Sequence, residues 1–137
     1  MDNKLLAIDD AELHLSIVRK IAAQAGFKTT GANCVGEASR LLRERTFDCV
    51  TLDLSLGEQS GIEILKLLAE IGCRTPIIVI SGSDDAVLKE TIRIGNFLGL
   101  NLCAAVPKPI HLAALRTTLM QVAHATLRQK LATPAGG

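Results

Sequence analysis

The stretch FDCVTLDLSLGEQSGIEILKLLAEIG, Phe47–Gly72, holds one complete structural unit. Cys49–Leu52 is a short, largely apolar run, the pattern of a strand buried on both faces. An acid, Asp53, follows it directly. Ser60 and Glu63 then form a capping box ahead of Ile62, Leu65 and Leu68, whose spacing predicts a helix, and Gly72 stands as its stop. A buried strand, a polar loop and an amphipathic helix in that order make a βα unit.

The same unit recurs on either side. Leu5–Ile8, Lys28–Ala32, Ile77–Ile80 and Cys103–Val106 are further strand-like runs. Leu13, Ile17, Ile21 and Ala25 make a helical stripe closed by Gly26, and Val35, Ala38, Leu41 and Leu42 make another. Val87, Leu88, Thr91 and Ile92 predict a fourth helix, with Ser83, Asp84 and Asp85 as its cap. Leu112, Leu115, Leu119 and Val122 predict a fifth, reaching about Arg128. Five successive βα units argue for an α/β fold, a parallel sheet with helices on both faces. The second strand is more polar, as an edge strand can be, and Pro107 ends the fifth at a place that also suits an edge. Residues 1–128 are expected to form one domain. Residues 129–137, with the linker composition of Thr133–Gly137, are expected to form a flexible tail or linker.

Composition narrows the function classes. Lys and Arg total 15 against 14 Asp and Glu, a net charge of +1, which gives no electrostatic case for nucleic acid or a membrane surface. No apolar run is long enough to span a bilayer, and MDNKLLAIDD carries acids where a signal peptide would be basic. A cytoplasmic chain is expected. Cys34, Cys49, Cys73 and Cys103 have no metal-ligand spacing and are expected to be reduced structural thiols.

The informative polar residues all sit at strand ends. Asp9 and Asp10 follow the first strand, Asp53 the third, Ser81 the fourth and Lys108 the fifth. In an open α/β sheet these positions share the carboxyl edge, where ligands bind. Clustered carboxylates repel one another and call for a cation. Oxygen ligands alone favour a hard ion, Mg²⁺ first, with Mn²⁺ as a substitute. A carboxylate can also attack a phosphoryl group, and the metal, the Lys108 ammonium and the Ser81 hydroxyl would meet the charge on the transferring oxygens.

With LLAIDD (5–10), VTLDLSLGEQSG (50–61), IIVISGS (77–83) and VPKPI (106–110) in this order, the chain resembles the response-regulator receiver family, typified by the bacterial chemotaxis regulator. The resemblance covers about Lys4 to Leu127. It implies a doubly wound, flavodoxin-like (βα)5 three-layer sandwich with strand order 2-1-3-4-5. It implies Asp53 as the phosphoacceptor, and Mg²⁺ held by Asp9, Asp10, Asp53 and the backbone carbonyl of Ser55. Lys108 and Ser81 would bind the phosphoryl group and start a switch on the surface of the fourth helix, fifth strand and fifth helix, and Pro109 would follow a cis bond. The phosphoryl donor would be a sensor histidine kinase or a phosphotransfer protein, and the domain's role would be signalling rather than turnover of a substrate. Three features depart from the family pattern. Ala105 replaces a frequent aromatic, and Gly57 stands in place of a common proline. The Ser81–Lys108 stretch is longer by roughly five residues, more than one helical turn. GNFLGLNLCAAVPKPI (95–110) resembles receivers attached to EAL-type cyclic-di-nucleotide phosphodiesterases, an output partner the rest of the chain leaves unnamed, and a homodimer through this face is a further option.

Other residues read more simply. Asp10 suits a helix cap as well as it suits a metal. His14, His111 and His124 lack mutual ligand spacing and are read as carrying no chemistry. Arg40, Arg43 and Arg45 make a solvated helix face, and no glycine-rich nucleotide motif is present. Two other functions compete with the switch: a receiver-like module that binds protein without phosphorylation, and an aspartyl-phosphate hydrolase. The hydrolase is disfavoured because Ser55 occupies the position where such enzymes carry a second aspartate.

Overall fold

A computed structural model of the chain describes residues 3–54, 60–82, 85–108 and 110–132. Its strands are β1 (Asn3–Ile8), β2 (Phe27–Ala32), β3 (Cys49–Asp53), β4 (Ile77–Ser81) and β5 (Leu102–Pro107). They alternate with α1 (Glu12–Gln24), α2 (Val35–Glu44), α3 (Ser60–Glu70), α4 (Asp85–Phe97) and α5 (Leu112–Ala132). The strands form one parallel sheet in the order β2-β1-β3-β4-β5. This is the doubly wound arrangement the alternation implies, with the more polar β2 and the proline-terminated β5 at its edges.

Period-two alternation sorts the strand side chains between two cores. Leu6, Ile8, Val50, Leu52, Ile77 and Val79 face one way, onto Ala38, Leu41 and Leu42 of α2 and Ile64, Leu65 and Leu68 of α3. Leu5, Ala7, Cys49, Ile78 and Ile80 face the other way, onto Leu15, Val18 and Ile21 of α1 and Leu115, Leu119 and Val122 of α5. Each fully buried aliphatic side chain stabilises the fold by about 1.5–3 kcal/mol relative to exposure. Both faces of the central strands are therefore covered, which holds their carboxyl ends in fixed register.

The helix ends follow local chemistry. Gly72 and Gly99 have φ of +69° and +76°, and each closes a helix by accepting the left-handed turn that a side chain resists. After α3, Cys73 N–H donates to Leu68 O and Gly72 N–H to Ala69 O. Leu100 and Gly99 repeat the pattern on Gly95 and Asn96 after α4.

Several details differ from the sequence reading. The buried face of α1 is Leu15, Val18, Ile21 and Ala22, while Leu13 is 71% exposed. Apolar residues at both 13 and 15, and at both 17 and 18, allow two helical phases, and packing on the sheet and α5 selects the second. α5 continues through Ala132, four residues beyond Arg128. β5 carries a bulge. Ile77 pairs with Leu102 and Ile78 with Ala104, leaving Cys103 as the extra residue on an edge strand. Ser55, Gly57, Ser83, Asp84, Pro109 and the tail 133–137 lie outside the described residues, as does the side chain of Ser60, on which the capping box depends.

Candidate functional site

Asp9 leaves the end of β1 still hydrogen-bonded to the sheet, its N–H donating to Ala32 O at 2.9 Å. Its Oδ1 accepts the Ala11 N–H at 2.9 Å, which turns the chain into α1. The N-cap of α1 is Ala11 and carries no side-chain capping bond, so the capping role considered for Asp10 is not taken up; the Asp9–Ala11 bond is a turn just ahead of the helix. Asp53 is the last residue of β3 and pairs with Ile80, and the Leu54 N–H donates to Ile80 O. Ser81 ends β4 opposite Pro107, and the Lys108 N–H donates to Ser81 O at 2.7 Å. Three neighbouring strands therefore deliver Asp9, Asp53 and Ser81 to one edge, and the fourth brings Lys108 over them.

The side chains meet as charges. Lys108 Nζ lies 2.8 Å from Asp53 Oδ2, with the lysine side chain 17% and the aspartate side chain 1% exposed. Asp9, Asp53 and His14 each place one ligand atom within 4.8 Å of the others. His14 Nδ1 is 3.3 Å from Asp9 Oδ2, yet the contact lacks hydrogen-bond geometry, and neither buried atom has a hydrogen-bond partner among the described residues. Burial raises the Asp9 carboxyl above its ordinary value, and Asp53 adds to the rise; the Ala11 N–H and the Lys108 ammonium pull the other way. The Ser81 hydroxyl is buried and donates to Gly82 O at 3.3 Å.

This donor set fits a hard divalent cation. Among the described residues, two buried carboxylates lie beside the Lys108 ammonium, which contacts Asp53, and Asp9 Oδ2 has no hydrogen-bond partner. The expected residues do not all converge. Asp9, Asp53, Ser81 and Lys108 meet at this edge; Asp10 is exposed and outside the cluster, and Ser55 lies outside the described residues. His14 enters the pocket although sequence reasoning passed over it. The available signal was its place in the first turns of α1, where a side chain leans back toward the helix start and so toward Asp9. Cavity size does not mark this site. A cleft of ≈ 510 Å³ lined by Leu42, Arg43, Phe47, Ile71 and Thr75 lies at the amino edge of the sheet and contains none of these residues.

Comparisons with known proteins agree with this geometry. A family model described as the response regulator receiver domain matches residues 5–120. The chain is 31% identical over 136 residues to the sensory/regulatory protein RpfC of Xanthomonas campestris pv. campestris, covering 96% of this chain but 18% of RpfC. It is 31% identical over 97 residues to the chemotaxis protein CheY of Thermotoga maritima, covering 69% of this chain and 81% of CheY. The chain thus spans about a fifth of RpfC and 23% of another relative, the response regulator ARR11 of Arabidopsis thaliana. Among solved structures, a response regulator from Colwellia psychrerythraea superposes with a TM-score of 0.78 at 24% identity, covering 91% of this chain and 99% of the other. With the motifs, the topology and the family match in agreement, this chain belongs to the response regulator receiver domain family.

Proposed function

We propose that the domain accepts a phosphoryl group on Asp53 from a sensor histidine kinase or a phosphotransfer protein in the cytoplasm. The observation that carries this reading is the buried Asp53 carboxylate, held 2.8 Å from the Lys108 ammonium beside a second, partly orphaned carboxylate. An isolated structural ion pair has no need of Asp9; a nucleophile that must coexist with incoming phosphoryl oxygens does. An Asp53 oxygen attacks phosphorus, the bond from phosphorus to the donor nitrogen breaks, and the leaving imidazole keeps the electron pair. Lys108 transfers its pairing from the carboxylate to the phosphoryl oxygens, so that no charge is left unpartnered. Asp9 and Asp53 would hold Mg²⁺, or Mn²⁺ in its place, joined by Asp10 once its exposed side chain turns inward and by the Ser55 carbonyl, and the ion when bound would neutralise charge on the transferring group.

The switch we propose begins at Ser81. Among the described residues, its hydroxyl has only a long bond to the adjacent Gly82 carbonyl to give up before turning toward a phosphoryl oxygen. That turn and the movement of Lys108 would bias the α4–β5–α5 surface, which carries the output. Ala105 is small and exposed on β5, so this mechanism rests on Ser81 and Lys108 rather than on an aromatic rotamer.

Incubation with acetyl phosphate, followed by intact mass, tests the reading. One phosphoryl adduct is expected with Mg²⁺, none with chelator, and none in Asp53→Asn. Failure of the folded wild-type chain to take up phosphate with Mg²⁺ present would favour a module that binds protein without phosphorylation.

A further inference from the structure

His14 Nδ1 and Asp9 Oδ2 lie 3.3 Å apart, and both are buried atoms without a hydrogen-bond partner among the described residues. The Asp9 side chain is 3% exposed, and its other oxygen is already committed to the Ala11 N–H. A donor and an acceptor that only needed each other would align and close to hydrogen-bond geometry. Two lone-pair-bearing atoms facing one space are instead satisfied together by a third, positive atom. The spacing suits that arrangement. Ligand atoms each about 2.1 Å from one ion lie about 3.0 Å apart at right angles and about 4.2 Å apart across it. The Asp9, His14 and Asp53 ligand atoms, all within 4.8 Å of one another, are close to such a shell before it contracts onto an ion.

The chemistry of the third ligand decides the preference of the site. Carboxylates and carbonyls suit Mg²⁺ and Mn²⁺ alike, whereas imidazole suits the later first-row ions such as Ni²⁺, Cu²⁺ and Zn²⁺, which bind nitrogen more tightly. We propose that His14 is a nitrogen ligand in the acid pocket and shifts its preference from Mg²⁺ toward the later first-row divalent ions such as Ni²⁺. This rests on the reading that Asp9 and Asp53 hold a divalent cation. It requires the ring N–H to reside on Nε2, leaving the Nδ1 lone pair directed at Asp9 and Asp53. The imidazole is 31% exposed, so its outer edge can be met by water while Nδ1 stays buried.

Titration of the whole chain with Mn²⁺, followed by the loss of the free-ion electron paramagnetic resonance signal, gives the affinity. Pulsed measurement on the bound ion reports directly coordinated ¹⁴N. Nitrogen coupling is expected in the wild type and absent in His14→Gln, while His111→Gln and His124→Gln retain it. His14→Gln should lower Ni²⁺ affinity, read by competition against bound Mn²⁺, about tenfold or more and change Mg²⁺ affinity, read the same way, less than about threefold. Circular dichroism confirms that each variant is folded. Bound Mn²⁺ without nitrogen coupling, or equal loss of Ni²⁺ and Mg²⁺ affinity in His14→Gln, overturns the role of His14 and leaves the carboxylate site standing. No Mn²⁺ binding by the wild-type chain overturns both.

Discussion

Replacing Lys108 by methionine removes an ammonium while keeping most of the side-chain volume, and its cost follows from the surroundings of Asp53. The Nζ–Oδ2 distance is 2.8 Å, and the aspartate side chain is 1% exposed with Asp9 close by. Removing one member of a fully buried pair costs about 3–5 kcal/mol, because the other charge is left without compensation. An exposed pair contributes about 0–1 kcal/mol. Lys108 is 17% exposed, so water reaches one end of the pair and the cost falls between these limits, about 2 kcal/mol. For a domain of this size that corresponds to a fall in Tm of roughly 6–8 °C. The chain has no Trp or Tyr, so unfolding is followed by far-ultraviolet circular dichroism, in chelator. Asp53→Asn combined with Lys108→Met should recover most of the loss, since neither charge is then orphaned. Saturating Mg²⁺ should narrow the gap for the single variant by substituting for the missing cation. A Lys108→Met protein within about 0.5 kcal/mol of wild type in chelator would show that the Asp53 charge is compensated without Lys108.

Asp9→Asn should stabilise the metal-free protein at neutral pH by about 1–2 kcal/mol, by relieving a buried, unsatisfied charged oxygen. The sign follows from the raised Asp9 carboxyl: its favourable contribution is complete below the ordinary value of 3.8 and is lost as pH rises through the folded-state value. The advantage of Asp9→Asn should therefore shrink as urea unfolding is repeated toward pH 3.8, and a constant gap would contradict it. Gly95→Ala places a Cβ against Leu102, 2.9 Å from its Cγ. Overpacking of about 1–3 kcal/mol should outweigh the gain of about 1 kcal/mol in helix propensity, and Leu102→Ala should relieve it in the double variant. A simply stabilised Gly95→Ala would show that α4 and β5 are not in this contact. Leu15→Ala should cost about 2–4 kcal/mol and Leu13→Ser less than about 0.5 kcal/mol, and the reverse order in denaturant unfolding would mean that α1 presents its other face to the sheet.

Strand ends were the most legible part of this sequence, because burial on both faces writes a continuous apolar run and its end is marked by an acid, a serine or a lysine. Asp53, Ser81 and Lys108 stand at the edge their positions implied, and β2 and β5 take the edges of the sheet. Helix phase was less legible. α1 offers apolar residues on overlapping stripes, so only contact with β1 and α5 separates Leu15 from Leu13. The Cys103 bulge has no local signature, since an extra residue in an apolar edge strand looks like more strand. His14 was hidden for a different reason. Its partner Asp9 is five positions earlier and lies across the strand-to-helix turn, a separation that matches no ligand motif within a single helix. Asp10 shows the converse: adjacent to Asp9 in sequence, it is exposed, as side chains alternate where the chain leaves β1.

The central claim is that Asp53 itself becomes the acyl phosphate. The most direct measurement treats the chain with acetyl phosphate and Mg²⁺, reduces it with borohydride, which converts an acyl phosphate to the alcohol, and locates the change by peptide mass. Homoserine is expected at residue 53 and nowhere else, with no conversion in chelator. Reduction at Asp9, at Asp10 or at no residue in a chain that has taken up phosphate would contradict it.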